Sequence, residues 1–198
     1  MRASRVEAFT DGVIAILITI MVLELPKPNG PGLEALGDDA PVLLAYLLSF
    51  LYLGICWNNH HHMFQASSHV QGPVLWANLN LLFWLSLVPF VTSWMSDEGF
   101  EQWPVVVYGV VLLAAAFAFW ILQATLIRAD AEGSRLKSAV GRNLKGKATV
   151  ISYALGIVLA YFVPLLGLGV YVVVVLSWLI PDRRVERTLA TSDPATTP

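Results

Sequence analysis

From Gly12 to Leu23 the chain carries one polar side chain, Thr19, in a run of Val, Ile, Ala, Leu and Met. Runs of this kind recur along the sequence, each near the ~20 apolar residues that cross a hydrocarbon core roughly 30 Å thick. They predict membrane-spanning helices over about 8–25, 41–64, 72–95, 104–127, 146–163 and 166–180, with ends good to about 2–4 residues. Between Ala148 and Ile180 there is no charged residue, which fits one long tilted helix or two short ones meeting near Pro164 and Gly167. Pro89 predicts a kink in the third segment.

Charge placement chooses between these. Arg2 and Arg5 precede the first segment. Arg128, Arg135, Lys137, Arg142, Lys145 and Lys147 lie between the fourth and fifth, and Arg183, Arg184 and Arg187 follow the last. Lys27 alone falls in a loop of the other set, among Glu34, Asp38, Asp39, Asp97, Glu98 and Glu101. By the positive-inside rule both termini and the 128–147 loop are cytoplasmic. An even number of crossings follows, so six transmembrane helices are expected, the last two as a tight hairpin. Residues 1–182 form the membrane domain, and the polar 183–198 tail is expected to be disordered.

Composition agrees. The chain is 57% hydrophobic and 13% charged, where a soluble domain carries about 25% charged residues. An all-α polytopic membrane protein is expected, with lipid as its surroundings and no nucleic-acid partner. No cleavable signal peptide is expected, because the first segment is long, lacks an A-x-A-type site and runs into Pro26 and Pro28. The single Cys56 provides neither a disulfide nor a cysteine metal site within one chain. No catalytic constellation emerges, and an enzyme is not expected.

Candidate chemistry gathers on the first segment. At about 100° per residue, Ile16, Ile20 and Leu23 share one face, Gly12 continues it and Thr19 borders it. Asp11 lies about 140° from Ile16, so a face that lines a path leaves the acid against neighbouring helices. Contact with lipid alone is the other reading of such a stripe. An intramembrane carboxylate is costly and has a partner. The end of the second segment, CWNNHHHMF, offers Trp57, Asn58, His60 and His61, and the third offers Asn78; Arg5 is a further candidate. Antiparallel first and second segments bring these groups to the depth of Asp11. The three adjacent histidines also admit metal ligation, but the only other histidine is His69, and a structural hydrogen-bond network is the favoured reading.

Arg5, Phe9-Thr10-Asp11, the GVIAILIT continuation and VLEL resemble the R-x-x-x-F-S-D first-helix motif of the endolysosomal potassium channel family. WNNHHHMF and WANLNLLFWLSLVPF resemble that family's second and third helices. Thr10 stands where the family has Ser; both carry a hydroxyl. The resemblance covers roughly 5–25 and 57–90, and over the last three segments only hydropathy agrees. It implies a bacterial six-span member in the plasma membrane, forming a homotetramer around a pore lined by the first helix. It also implies potassium conduction without a TVGYG filter, and the chain contains no TVGYG. Ile16 takes the constriction position, with Leu23 a further hydrophobic ring, Thr19 the hydroxyl linked to cation preference and Ile20 a constriction position in some relatives. Arg5, Phe9, Thr10 and Asp11, with the span-two Trp and His, hold the pore helix. No cofactor is implied, only transient K+. The alternative is a secondary transporter or proton pathway using Asp11 and the span-two histidines.

Overall fold

A computed structural model describes residues 3–65, 67, 70–129 and 144–179. They form eight helices: α1 (Ala3–Leu23), α2 (Leu33–Asp38), α3 (Ala40–Gln65), α4 (Gly72–Ser86), α5 (Val88–Asp97), α6 (Gln102–Ala129), α7 (Leu144–Phe162) and α8 (Pro164–Leu179). Among the described residues four stretches are long and apolar enough to cross a membrane: α1, α3, α4 with α5, and α6; α8 is apolar but shorter. The 183–198 tail and most of the basic loop lie outside the described residues.

The third segment is two helices, interrupted at Leu87. Pro89 has no N–H to bond the carbonyl four residues back, and its ring crowds that turn, so the ladder breaks just before it. At the other end, α7 stops at Phe162 and α8 starts with Pro164, where a missing N–H costs nothing. The stretch from Ala148 to the last described residue is therefore a helical hairpin. The pair closes tightly because Gly167 sits directly on Ala160 and on the backbone of Gly156.

α6 is the axis of the bundle, packed by α4 and α5 and by the α7–α8 hairpin. Its small positions Gly109, Ala115 and Ala118 are buried against these neighbours, as close helix packing without a hydrophobic driving force requires. Tyr171 of α8 fills a slot bounded by Gly109 on α6 and Gly156 on α7. Its ring is fully buried.

Where α3, α5 and α6 meet, three buried hydroxyls form a chain. Thr92 Oγ1 donates to the Val88 carbonyl at 2.7 Å. Ser49 Oγ lies 2.7 Å from Thr92 Oγ1 and 3.0 Å from the Tyr108 hydroxyl. With the Thr92 proton already committed, Tyr108 donates to Ser49 and Ser49 donates to Thr92. Every proton in the chain has an acceptor, the condition under which a buried polar group is tolerated.

Candidate pore helix and its polar support

α1 is held from a single side. It packs on α3, α4 and α5, burying Ala3, Val6, Thr10, Ile14, Leu17 and Met21. These recur every three or four residues and so form one stripe.

Three polar ties fasten the same side. Glu7 Oε1 accepts from His61 Nδ1 at 2.6 Å, while Gln65 donates to His61 Nε2 at 2.8 Å. The two partners together fix the ring's tautomer, with its proton on Nδ1. Asp11 Oδ1 accepts from the indole N–H of Trp57 at 2.9 Å, and the Trp57 and His61 rings stack at 6.0 Å. Between these ties, Asn78 of α4 bridges two helices. Its Oδ1 accepts from His60 Nε2 at 2.9 Å, and its Nδ2 donates to Thr10 Oγ1 at 3.0 Å. His60 is fully buried, stacked on Phe64 at 4.3 Å, and its Nδ1 has no hydrogen-bond partner among the described residues.

Glu7, Thr10 and Asp11 stand at i, i+3 and i+4, which places them on one face. Ile16 is nine residues beyond Glu7, about 180° around the helix at 100° per residue. Arg5, Phe9, Gly12, Ile16, Ile20 and Leu23 gather around that opposite direction, with Thr19 at its edge. All are exposed in the subunit, Ile16 at 57% and Leu23 at 79%. The Thr19 hydroxyl donates to the Ile16 carbonyl at 2.8 Å. A Cβ on Gly12 would meet nothing within 4 Å, so no neighbour within this subunit requires glycine there.

Of the expected support residues, the structure therefore brings together Thr10, Asp11, Trp57, His60, His61 and Asn78. It does not bring in Arg5, Phe9 or Asn58, which are exposed and have no polar partner among the described residues. Trp57 and His60 also do not act together: His60 faces α4, while Trp57 and His61 face α1. Glu7 and Gln65 were missed by the sequence reading. Their signal was available, since Glu7 lies four residues before Asp11 and Gln65 four after His61. Among the described residues no group of three or more His, Cys, Asp or Glu is placed to hold a metal ion.

Fold and site define an α-helical polytopic membrane protein whose first helix is anchored on one side and bare on the other. The sequence profile described as endosomal/lysosomal potassium channel TMEM175 matches residues 5–89, the part that contains all three ties. A potassium channel of Chryseobacterium sp. (strain P1-3) is 49% identical over 189 residues, covering 96% of this chain and 98% of the relative. A potassium channel of Streptomyces collinus is 38% identical over 128 residues, 61% of this chain and 62% of that protein. The crystal structure of a lysosomal potassium-selective channel TMEM175 homolog from Chamaesiphon minutus superposes with a TM-score of 0.77 at 26% identity, over 89% of this chain and 96% of that one. This chain belongs to the TMEM175 family, a family of ion channels and not of enzymes.

Proposed function

We propose that this chain is a potassium channel whose subunits surround a pore lined by α1. The observation that carries this reading is the opposition on α1. Glu7, Thr10 and Asp11 tie one side to the subunit, which turns Gly12, Ile16, Ile20 and Leu23 away from it. One chain contributes one such helix and cannot enclose a path, so a homo-oligomer is required, a tetramer by the resemblance. The potassium channels among its relatives support K+ as the conducted ion. On this reading α7 and α8 complete six crossings, both termini are cytoplasmic and the protein sits in the plasma membrane.

A ring of Ile16 side chains offers no ligand to a dehydrated ion. It closes the path by dewetting, or conducts only when wide enough for hydrated ions. Potassium preference then falls to pore radius and to Thr19, whose proton is engaged by the Ile16 carbonyl, leaving its oxygen lone pairs as acceptors. The preference is accordingly modest. A proton relay or coupled carrier draws no support from the ties. No tie passes a proton onward: Asp11 meets an indole, the Glu7–His61 pair ends on the Gln65 amide, and His60 meets the Asn78 amide.

The test is a bi-ionic potential on purified protein in planar bilayers, with potassium on one side and sodium on the other. The reading expects a reversal potential displaced toward the potassium equilibrium. Ile16→Asn should raise conductance and reduce cation discrimination. Currents unchanged by Ile16→Asn would remove Ile16 from the pore, and an absence of current would remove the channel.

A further inference from the structure

A cavity of about 410 Å³ lies between α3, α6, α7 and α8, away from α1 and its ties. That is within the roughly 300–1,000 Å³ of small-molecule sites. Its floor is apolar and aromatic, with Tyr52, Tyr153 and Val175 all buried. Its mouth is on the flank of the bundle. Phe117, Trp120 and Ile151 stand there, exposed at 50%, 51% and 68%, apolar side chains turned outward from α6 and α7. An occupant thus enters sideways, from among lipid tails.

One end of the cavity is different. Asn59 and Lys147 lie on its rim, at the end of the bundle where α3, α6 and α8 finish and α7 begins. Lys147 is exposed. Lys145 stands over the Trp178 ring at 4.6 Å, and Trp178, also a lining residue, is fixed by its N–H to Thr149 Oγ1 at 2.8 Å. Arg128 closes α6 at the same end. An apolar slot open to lipid, with cations at the membrane surface, matches an amphiphile with one hydrocarbon chain inside and an anionic head outside.

We propose that this cavity holds an acyl chain of an anionic phospholipid, its phosphate paired with Lys147. The site is separate from the pore and does not depend on how α1 is used.

Full-length protein is reconstituted with brominated phosphatidylglycerol or brominated phosphatidylcholine in an unbrominated phosphatidylcholine background. The signal is the tryptophan quenching that Trp178→Phe removes. A chain in the cavity quenches Trp178, and phosphatidylglycerol does so at about fivefold lower mole fraction than phosphatidylcholine, the factor one lysine contributes near the surface. Lys147→Gln, a surface change, erases that difference. Ala116→Phe, which fills the cavity, abolishes Trp178 quenching while Trp76, 76% exposed, remains quenched. Equal midpoints for the two lipids in the wild type would overturn the selection of an anionic head by Lys147. Trp178 quenching that survives Ala116→Phe would overturn occupancy. Absence of Trp178 quenching by either lipid, as when a second subunit covers this flank, would overturn it too.

Discussion

Asn78→Ala is the sharpest probe of what holds α1. Asn78 is 2% exposed and is the shared partner of His60 and Thr10. Removing it deletes two interhelical hydrogen bonds at once and leaves the His60 ring with no partner on either nitrogen, because Nδ1 has none to begin with. Interhelical hydrogen bonds in membranes average about 0.6 kcal/mol each, which sets a lower bound near ~1 kcal/mol for the pair. Stranding two buried groups adds to this, since each costs about 1–3 kcal/mol when unsatisfied. A loss of about 2–3 kcal/mol is expected, equivalent to roughly 4–12 °C in Tm for a chain of this size. Thermal unfolding of the purified protein, followed by size-exclusion fluorescence, reads it directly. Thr10→Val supplies the second arm of a double-mutant cycle. It should cost about 1 kcal/mol in the wild type and much less in Asn78→Ala, whose hydroxyl partner is already gone. An Asn78→Ala loss below about 0.5 kcal/mol, the range of an ordinary surface change, would refute the argument. So would additivity of the two substitutions.

Other outcomes follow from the same geometry. Gly12→Leu should leave subunit stability within about 0.5 kcal/mol but lower conductance, measured in bilayers, because its new side chain enters the shared path; unchanged current would return the stripe to lipid. Trp57→Phe removes the Asp11 donor, and with the indole 44% exposed the cost should stay at about 1 kcal/mol or less, readable as a small fall in Tm. Gly167→Ala should destabilise by about 1–3 kcal/mol, since its Cβ would lie 2.6 Å from the Gly156 carbonyl, a backbone atom that cannot swing aside. Gly169→Ala, two residues on, meets nothing within 4 Å and serves as the control in the same melt.

Much of this was visible in the amino-acid order, for identifiable reasons. Apolar length marks a membrane helix without knowledge of its neighbours, and Pro89 and Pro164 mark interruptions through their missing N–H. The carboxylate at Asp11 announced a partner because hydrocarbon forbids it to stand alone, and an antiparallel reading of α1 and α3 supplied Trp57 at the right depth. The pairing within the cluster was not legible. Trp57 and His60 are three residues apart, and the modest angle between them sends one to α1 and the other to α4. That depends on how far α3 is rotated about its own axis, which packing by the whole bundle decides. Glu7 escaped notice because it sits a turn outside the apolar run and reads as an interfacial charge. The Ser49, Thr92 and Tyr108 chain escaped for the opposite reason: lone hydroxyls in apolar helices are individually unremarkable, and only the meeting of α3, α5 and α6 gives them a purpose.

The slot for Tyr171 has a consequence for how the chain can change over generations. Gly109 belongs to α6, whereas Gly156 and Tyr171 belong to the hairpin that is synthesised after it. The hairpin thus brings the ring and one wall of its socket, and α6 brings the other wall. Sliding the hairpin one turn along α6 would drive the ring into side chains instead of into space, so the last two helices have a single seating. The glycines and the tyrosine can consequently be exchanged only together. An alanine at either glycine has to arrive with a smaller residue at 171, and at Gly109 the Ile157 side chain, 2.9 Å from where the new Cβ would stand, has to give way as well.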